Sequence, residues 1–202
     1  MKRLIIFLSF ITLAIANFSC ERDDICAETT STTPRLIVEF YDNDDFEVLK
    51  NVPRITAYGE DLFTDLDGTL NEPLEASDKI ILTLGSETPP SYVFNINSNK
   101  IALPLRIGPE NEEITVRYVL EKDTNLRLDT NNTQTSNIDI IEIKYITEFV
   151  YVSRACGYKS IFTQLSISSV TDNDPWIANI INDVVTENIV ENEDTTHVRI
   201  FH

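Results

Sequence analysis

Arg35 to Asp45 reads RLIVEFYDNDD, and the alternation within it decides the fold class. Leu36, Val38 and Phe40 fall on one side of an extended chain and Ile37, Glu39 and Tyr41 on the other, because side chains in a strand point alternately to opposite faces. The turn formers Asp42, Asn43, Asp44 and Asp45 then stop the run. The same grammar recurs downstream. It predicts short strands at Arg54 to Tyr58, Lys79 to Leu84, Tyr92 to Ile96, Lys100 to Ile107, Ile114 to Lys122, Ile138 to Ile146, Phe149 to Ser153, Ser160 to Ser168 and Thr196 to Phe201. Turn signals separate them, such as Asp67 with Gly68, Pro89 with Pro90 and Gly108 with Pro109.

Composition agrees with an all-β reading. Ile, Val and Thr number 59 against 8 Ala, and β-branched side chains suit pleated strands better than helices. Regular short strands with frequent turns point to a single β-sandwich, Ig-like or related, of roughly 9 to 11 strands over residues 35–202. Two places strain the pattern. The doublet Ile140 and Ile141 shifts the alternation by one and predicts a β-bulge, and the polar stretch Asn125 to Asn137 reads as a long hairpin loop. Asp174 to Val185 fits two forms. Asp174 and Pro175 could start an amphipathic helix, while the surrounding pattern favours strand.

Residues 1–19 carry the address. Lys2 and Arg3 precede an apolar run, Leu4 to Ala16, the layout of a secretory signal peptide. As a helix that run covers roughly 20 Å of a hydrocarbon core about 30 Å thick, which makes it a signal and not a span. Ser19 before Cys20 resembles a bacterial lipobox, with Asn17 where Leu is usual. Cys20 is therefore read as the lipid-bearing first residue of the mature chain, with a soluble periplasmic or secreted form as the alternative. Residues 20–34 form a polar tether.

Removing the signal takes two of the 16 basic residues and none of the 33 acidic, so the mature net charge is 14 minus 33, or −19. Nucleic acid, whose binding depends on clustered Lys and Arg, is excluded as a partner. Of three cysteines, lipidation of one leaves Cys26 and Cys156, an even pair suited to an oxidising compartment and read as a disulfide, with two thiols as the alternative.

Candidate chemistry is sparse. DLDGTL, Asp65 to Leu70, matches the first motif of the haloacid dehalogenase-like phosphatases, in which Asp65 would be nucleophile and Asp67 acid/base beside Mg²⁺. That chemistry needs the loop at the carboxyl end of a buried parallel strand, and the preceding GEDLFT is a poor one, so a surface turn is expected. An EF-hand reading fails because Phe63 and Leu74 would stand at ligand positions. Asp42, Asn43, Asp44 and Asp45 read as a solvated turn ahead of a Ca²⁺ loop. His197 and His202 have opposite strand parity and cannot share a metal. Neither a catalytic nor a metal site is assigned, and no cofactor.

CERDDIC (Cys20 to Cys26), TTPRLIVEFYD (Thr32 to Asp42), SRACGYK (Ser153 to Lys159), Trp176 and HVRIFH (His197 to His202) resemble an uncharacterised lipoprotein family, a domain of unknown function, of Bacteroidetes-type bacteria. The resemblance implies an envelope location and no activity. Glu21, Asp23 and Asp24 after the cysteine resemble a signal for the outer face of the outer membrane. The function expected is thus a lipid-anchored, non-enzymatic binding or structural module at the outer membrane, with an integral outer-membrane protein as partner. A glycan- or peptide-binding surface module is the second reading, and an Mg²⁺-dependent phosphatase the third.

Overall fold

The computed structural model describes residues 26, 33–76, 92–170, 172–182 and 188–202. Nine strands among them form two sheets packed face to face, a β-sandwich. Sheet A has the order β4-β1-β9-β8, built from Lys100–Leu103, Leu36–Tyr41, Val198–Phe201 and Asn179–Asn182. Sheet B has the order β3-β2-β5-β6-β7, from Val93–Ser98, Val52–Gly59, Glu113–Lys122, Asn137–Ser153 and Gly157–Val170. Within sheet A, β1 runs parallel to β9, with Val38 opposite Val198 and Phe40 opposite Ile200.

The core is the space between the sheets. Leu36, Val38 and Phe40, the face anticipated for β1, are fully buried there, with Val198 and Ile200 beside them and Ile55, Leu120, Ile141 and Ile143 opposite. Each such side chain contributes about 1.5–3 kcal/mol relative to exposure. Trp176 and Ile177 close one end of the core. The Trp176 indole donates to the Leu120 carbonyl at 3.2 Å, and the Ile177 amide to Asp139 Oδ2 at 2.7 Å.

Three expectations need correction. The stretches 138–146 and 149–153 are one strand, β6. Its pairing with β5 is continuous from Asn137 to Ile146, so there is no bulge at Ile140 and Ile141. Asp139 occupies the inward position before Ile141, Ile143 and Tyr145, which keeps the alternation intact with a carboxylate standing where an apolar residue was expected. The irregularity lies on β7, where Gln164 takes a positive φ of 54° and the register with β6 shifts between Lys144 and Ile146. The long loop from Asn125 begins as a short helix, α1, Thr124–Leu128. The segment after Asp174 resolves as strand at Asn179–Asn182. The strand expected at Lys79 to Leu84 and the signal peptide at 1–19 lie outside the described residues, as does Cys20.

Candidate functional site

A concavity forms where β2 stops. Directly after Gly59 the chain folds into a short 3-10 turn, Glu60–Leu62. The segment leaving β4 crosses above β5, held by the Tyr118 hydroxyl on the Pro104 carbonyl and the Tyr145 hydroxyl on the Arg106 carbonyl at 2.8 Å. Between turn and segment lies an open groove of about 250 Å³ over Val116 to Tyr118. It runs on beside Glu60, Thr115 and Glu142.

Its chemistry is that of paired charges. Arg117 donates to Glu142 from Nε at 3.0 Å and Nη2 at 2.9 Å and lies 3.9 Å from Glu60. Arg106 stands 4.0 Å from Asp61 with most of its side chain exposed. The hydrogen bonds from Arg117, assisted by Lys144, hold the Glu142 carboxyl below its ordinary range. The lining presents neither histidine nor cysteine. Two exposed guanidinium groups with flanking carboxylates suit recognition of a polar surface, since Arg presents several donors in a planar fork.

Among the described residues two carboxylates are buried, and each has a structural partner. Glu121 on β5 is fully enclosed and meets Arg127 of α1 through Nε to Oε1 at 2.6 Å and Nη2 to Oε2 at 2.9 Å. Asp139 is also enclosed. Burial pushes its carboxyl up to about 6, the amides of Ile177 and Trp176 oppose that, and the Asp172 carboxylate adds to it.

The residues singled out in the sequence are dispersed. Asp65 to Leu70 is a solvent-exposed turn closed by Thr64 opposite Leu70. Asp65 Oδ2 accepts from the Asn71 side chain and Asp67 Oδ1 from the Thr69 amide, so the loop lies at no parallel strand end. In Asp42 to Asp45, Asp42 caps the Asp44 amide and meets Lys50 at 3.3 Å. His197 is buried, its Nδ1 accepting from the Ile37 amide at 2.9 Å. His202 packs edge-on against Phe40 and Trp176, and burial lowers its pKa. Among the described residues no three His, Cys, Asp or Glu side chains gather as metal ligands.

Cys26 and Cys156 do meet. Their sulfurs are 2.02 Å apart, joining the start of the described chain to the turn between β6 and β7. Sequence reasoning found this pair by parity alone. It missed the groove, whose sides come from β2, β4 and β5, and no local pattern announces such a meeting.

A family model described as a family of unknown function (DUF6452) matches residues 78–202. No curated protein and no solved structure matches the chain.

Proposed function

The chain belongs to that family of unknown function, and from its own residues we propose that it is a non-enzymatic binding module of the bacterial envelope, anchored by a lipid on Cys20. The observation that carries the reading is the Cys26–Cys156 disulfide. Such a bond persists in an oxidising compartment, and it fastens the domain six residues after the cysteine that follows the signal-like leader. An acidic chain with formal net charge −17 gains little from an anionic lipid surface by charge alone, so a covalent lipid is the anchor.

Binding, and not catalysis, is supported by how the polar groups are used. Both histidines are built into packing, both buried carboxylates hold structural partners, and the DLDGTL aspartates cap their own turn. The groove carrying Arg106 and Arg117 is the surface offered to a partner, for which an integral outer-membrane protein is the envelope component we propose.

Intact-mass measurement of the membrane-extracted protein tests the anchor. We expect a mature chain that begins at Cys20 and carries acyl mass, absent in Cys20→Ser. A mature chain without acyl mass defeats this reading. A photo-crosslinking residue at Arg117 should capture one recurrent envelope protein in intact cells; capturing none there defeats the partner.

A further inference from the structure

The last two long strands do not end where the sandwich does. The final β5 partner of β6 is Ile146, yet β6 continues from Thr147 to Ser153, paired with β7 from Phe162 back to Gly157. This two-stranded arm exposes Phe149, Val150, Tyr151, Val152 and Tyr158, with Tyr158 at 64% and Tyr151 at 55% of full exposure. Alternation puts Phe149 and Tyr151 on one face and Val150 and Val152 on the other, so both faces are apolar. The rings of Tyr151 and Tyr158 meet edge to face at 5.6 Å across the strands.

Two further observations say what this arm meets. First, its turn holds Cys156, bonded to Cys26, and six residues of chain from Cys26 back to Cys20 span at most about 20 Å fully extended. The start of β1 lies on this side as well, because Arg35 binds Glu193 and nearby Glu191 binds Lys159 of the arm at 2.9 Å. Second, beyond Glu148 the arm, residues 149–160, carries no carboxylate and has exposed Arg154 at its turn, Lys159 being paired with Glu191, in a chain with 33 acidic residues. Apolar side chains on both faces, tyrosines with a wet end and a greasy body, and local positive charge suit the boundary between lipid headgroups and acyl chains.

We infer that the tip of the β6–β7 arm seats in the headgroup region of a zwitterionic bilayer, docking the domain against the membrane that holds its lipid. This rests on the reading of Cys20 as the lipid-bearing residue. The arm supplies an attachment additional to the lipid. It also fixes the sandwich's orientation, with the arm down.

The test uses vesicles of phosphatidylcholine and phosphatidylethanolamine whose acyl chains carry bromine as a fluorescence quencher. In the membrane-purified protein bearing Tyr151→Trp, emission from the new indole is quenched, while the wild type, whose indole at Trp176 is buried in the sandwich, is unaffected. In the mature chain carrying Cys20→Ser, the arm alone drives vesicle partition. The triple change Phe149→Ser, Tyr151→Ser and Tyr158→Ser lowers that partition about tenfold or more. An unchanged circular dichroism spectrum and an intact Cys26–Cys156 bond show that the variant folds.

If Cys20 proves unacylated, the anchor reading fails, and the partition of the Cys20→Ser chain still decides the arm. If Cys20 is acylated but the new indole stays unquenched and the triple variant partitions equally, the arm proposal is overturned and the anchor stands. Self-association or glycan binding that the triple variant loses, with no vesicle partition in the wild type, overturns it too.

Discussion

Replacing Arg127 by Met would strand the Glu121 carboxylate. That carboxylate sits on the outward face of β5, opposite Thr56 and beneath α1, with no solvent exposure. Its two oxygens are each held by Arg127, at 2.6 and 2.9 Å, and the same guanidinium donates to the Pro73 carbonyl at 2.9 Å. Removing one partner of a buried pair costs 3–5 kcal/mol as a rule. The Arg127 side chain is 18% exposed, so water can reach part of the vacated space, and about 3 kcal/mol at pH 7 is the figure we expect. For a chain of this size that is a fall of roughly 6–12 °C in Tm. Urea unfolding at constant m-value reads it directly. The companion double variant Glu121→Gln with Arg127→Met, which removes the charge as well as its partner, should be less destabilised than Arg127→Met alone. A cost below about 1 kcal/mol at pH 7, or a double variant no more stable than the single one, refutes the view that this pair fastens α1 to sheet B.

Asp139 gives a pH signature of opposite sense to an ordinary paired carboxylate. Its folded pKa of about 6 lies above the ordinary 3.8, so the native state keeps a proton that the unfolded chain has released. Stability from this group is present below about pH 4 and lost as pH rises to about 6, by about 1–2 kcal/mol once nearby solvent is allowed for. Asp139→Asn should abolish that part of the slope in urea midpoints taken at pH 4 and 7.5; an identical slope in both proteins would contradict the assignment. Cutting the Cys26–Cys156 link, across a sequence separation of 130, removes up to about 5 kcal/mol on the chain-entropy model. Cys26→Ala with Cys156→Ala should therefore lower the urea midpoint markedly, and an unchanged midpoint would mean that the ordered domain starts after the bridge.

Strand positions were legible in the sequence because a sandwich strand buries one face, and Leu36, Val38 and Phe40 declare theirs. What misled was the assumption that inward means apolar. Asp139 is inward, its Oδ2 held by the amide of Ile177 some 38 residues later, and a reading by polarity mistakes it for a slip of register. The helix Thr124–Leu128 was hidden for a similar reason. It has only five residues, too few to show periodicity, and Arg127 ties it to Glu121. The gap expected between Ile146 and Phe149 vanished because Thr147 is buried within a continuous strand, its hydroxyl accepting from the Gly108 amide. Of the candidate surfaces, the cysteine pair was visible as arithmetic. The groove of Arg106 and Arg117 was not, since it exists only where the turn after β2, the segment after β4 and strand β5 come together.

The parallel pairing of β1 with β9 sets an order of events. Val38 and its partner Val198 are separated by 198 − 38 = 160 positions, so this pairing needs the closure of a long loop before its own ladder bonds reward it. Sheet B is different, because β5, β6 and β7 follow one another as a meander. A chain that emerges gradually, from a ribosome or through a translocation channel, can build half of its sandwich early. It must leave Leu36, Val38 and Phe40 with β4 on one side only, without β9 on the other, until residues 198–201 arrive. Closure of sheet A is thereby deferred until β9 has emerged, which makes the strand Val198–Phe201 the latch of the whole domain.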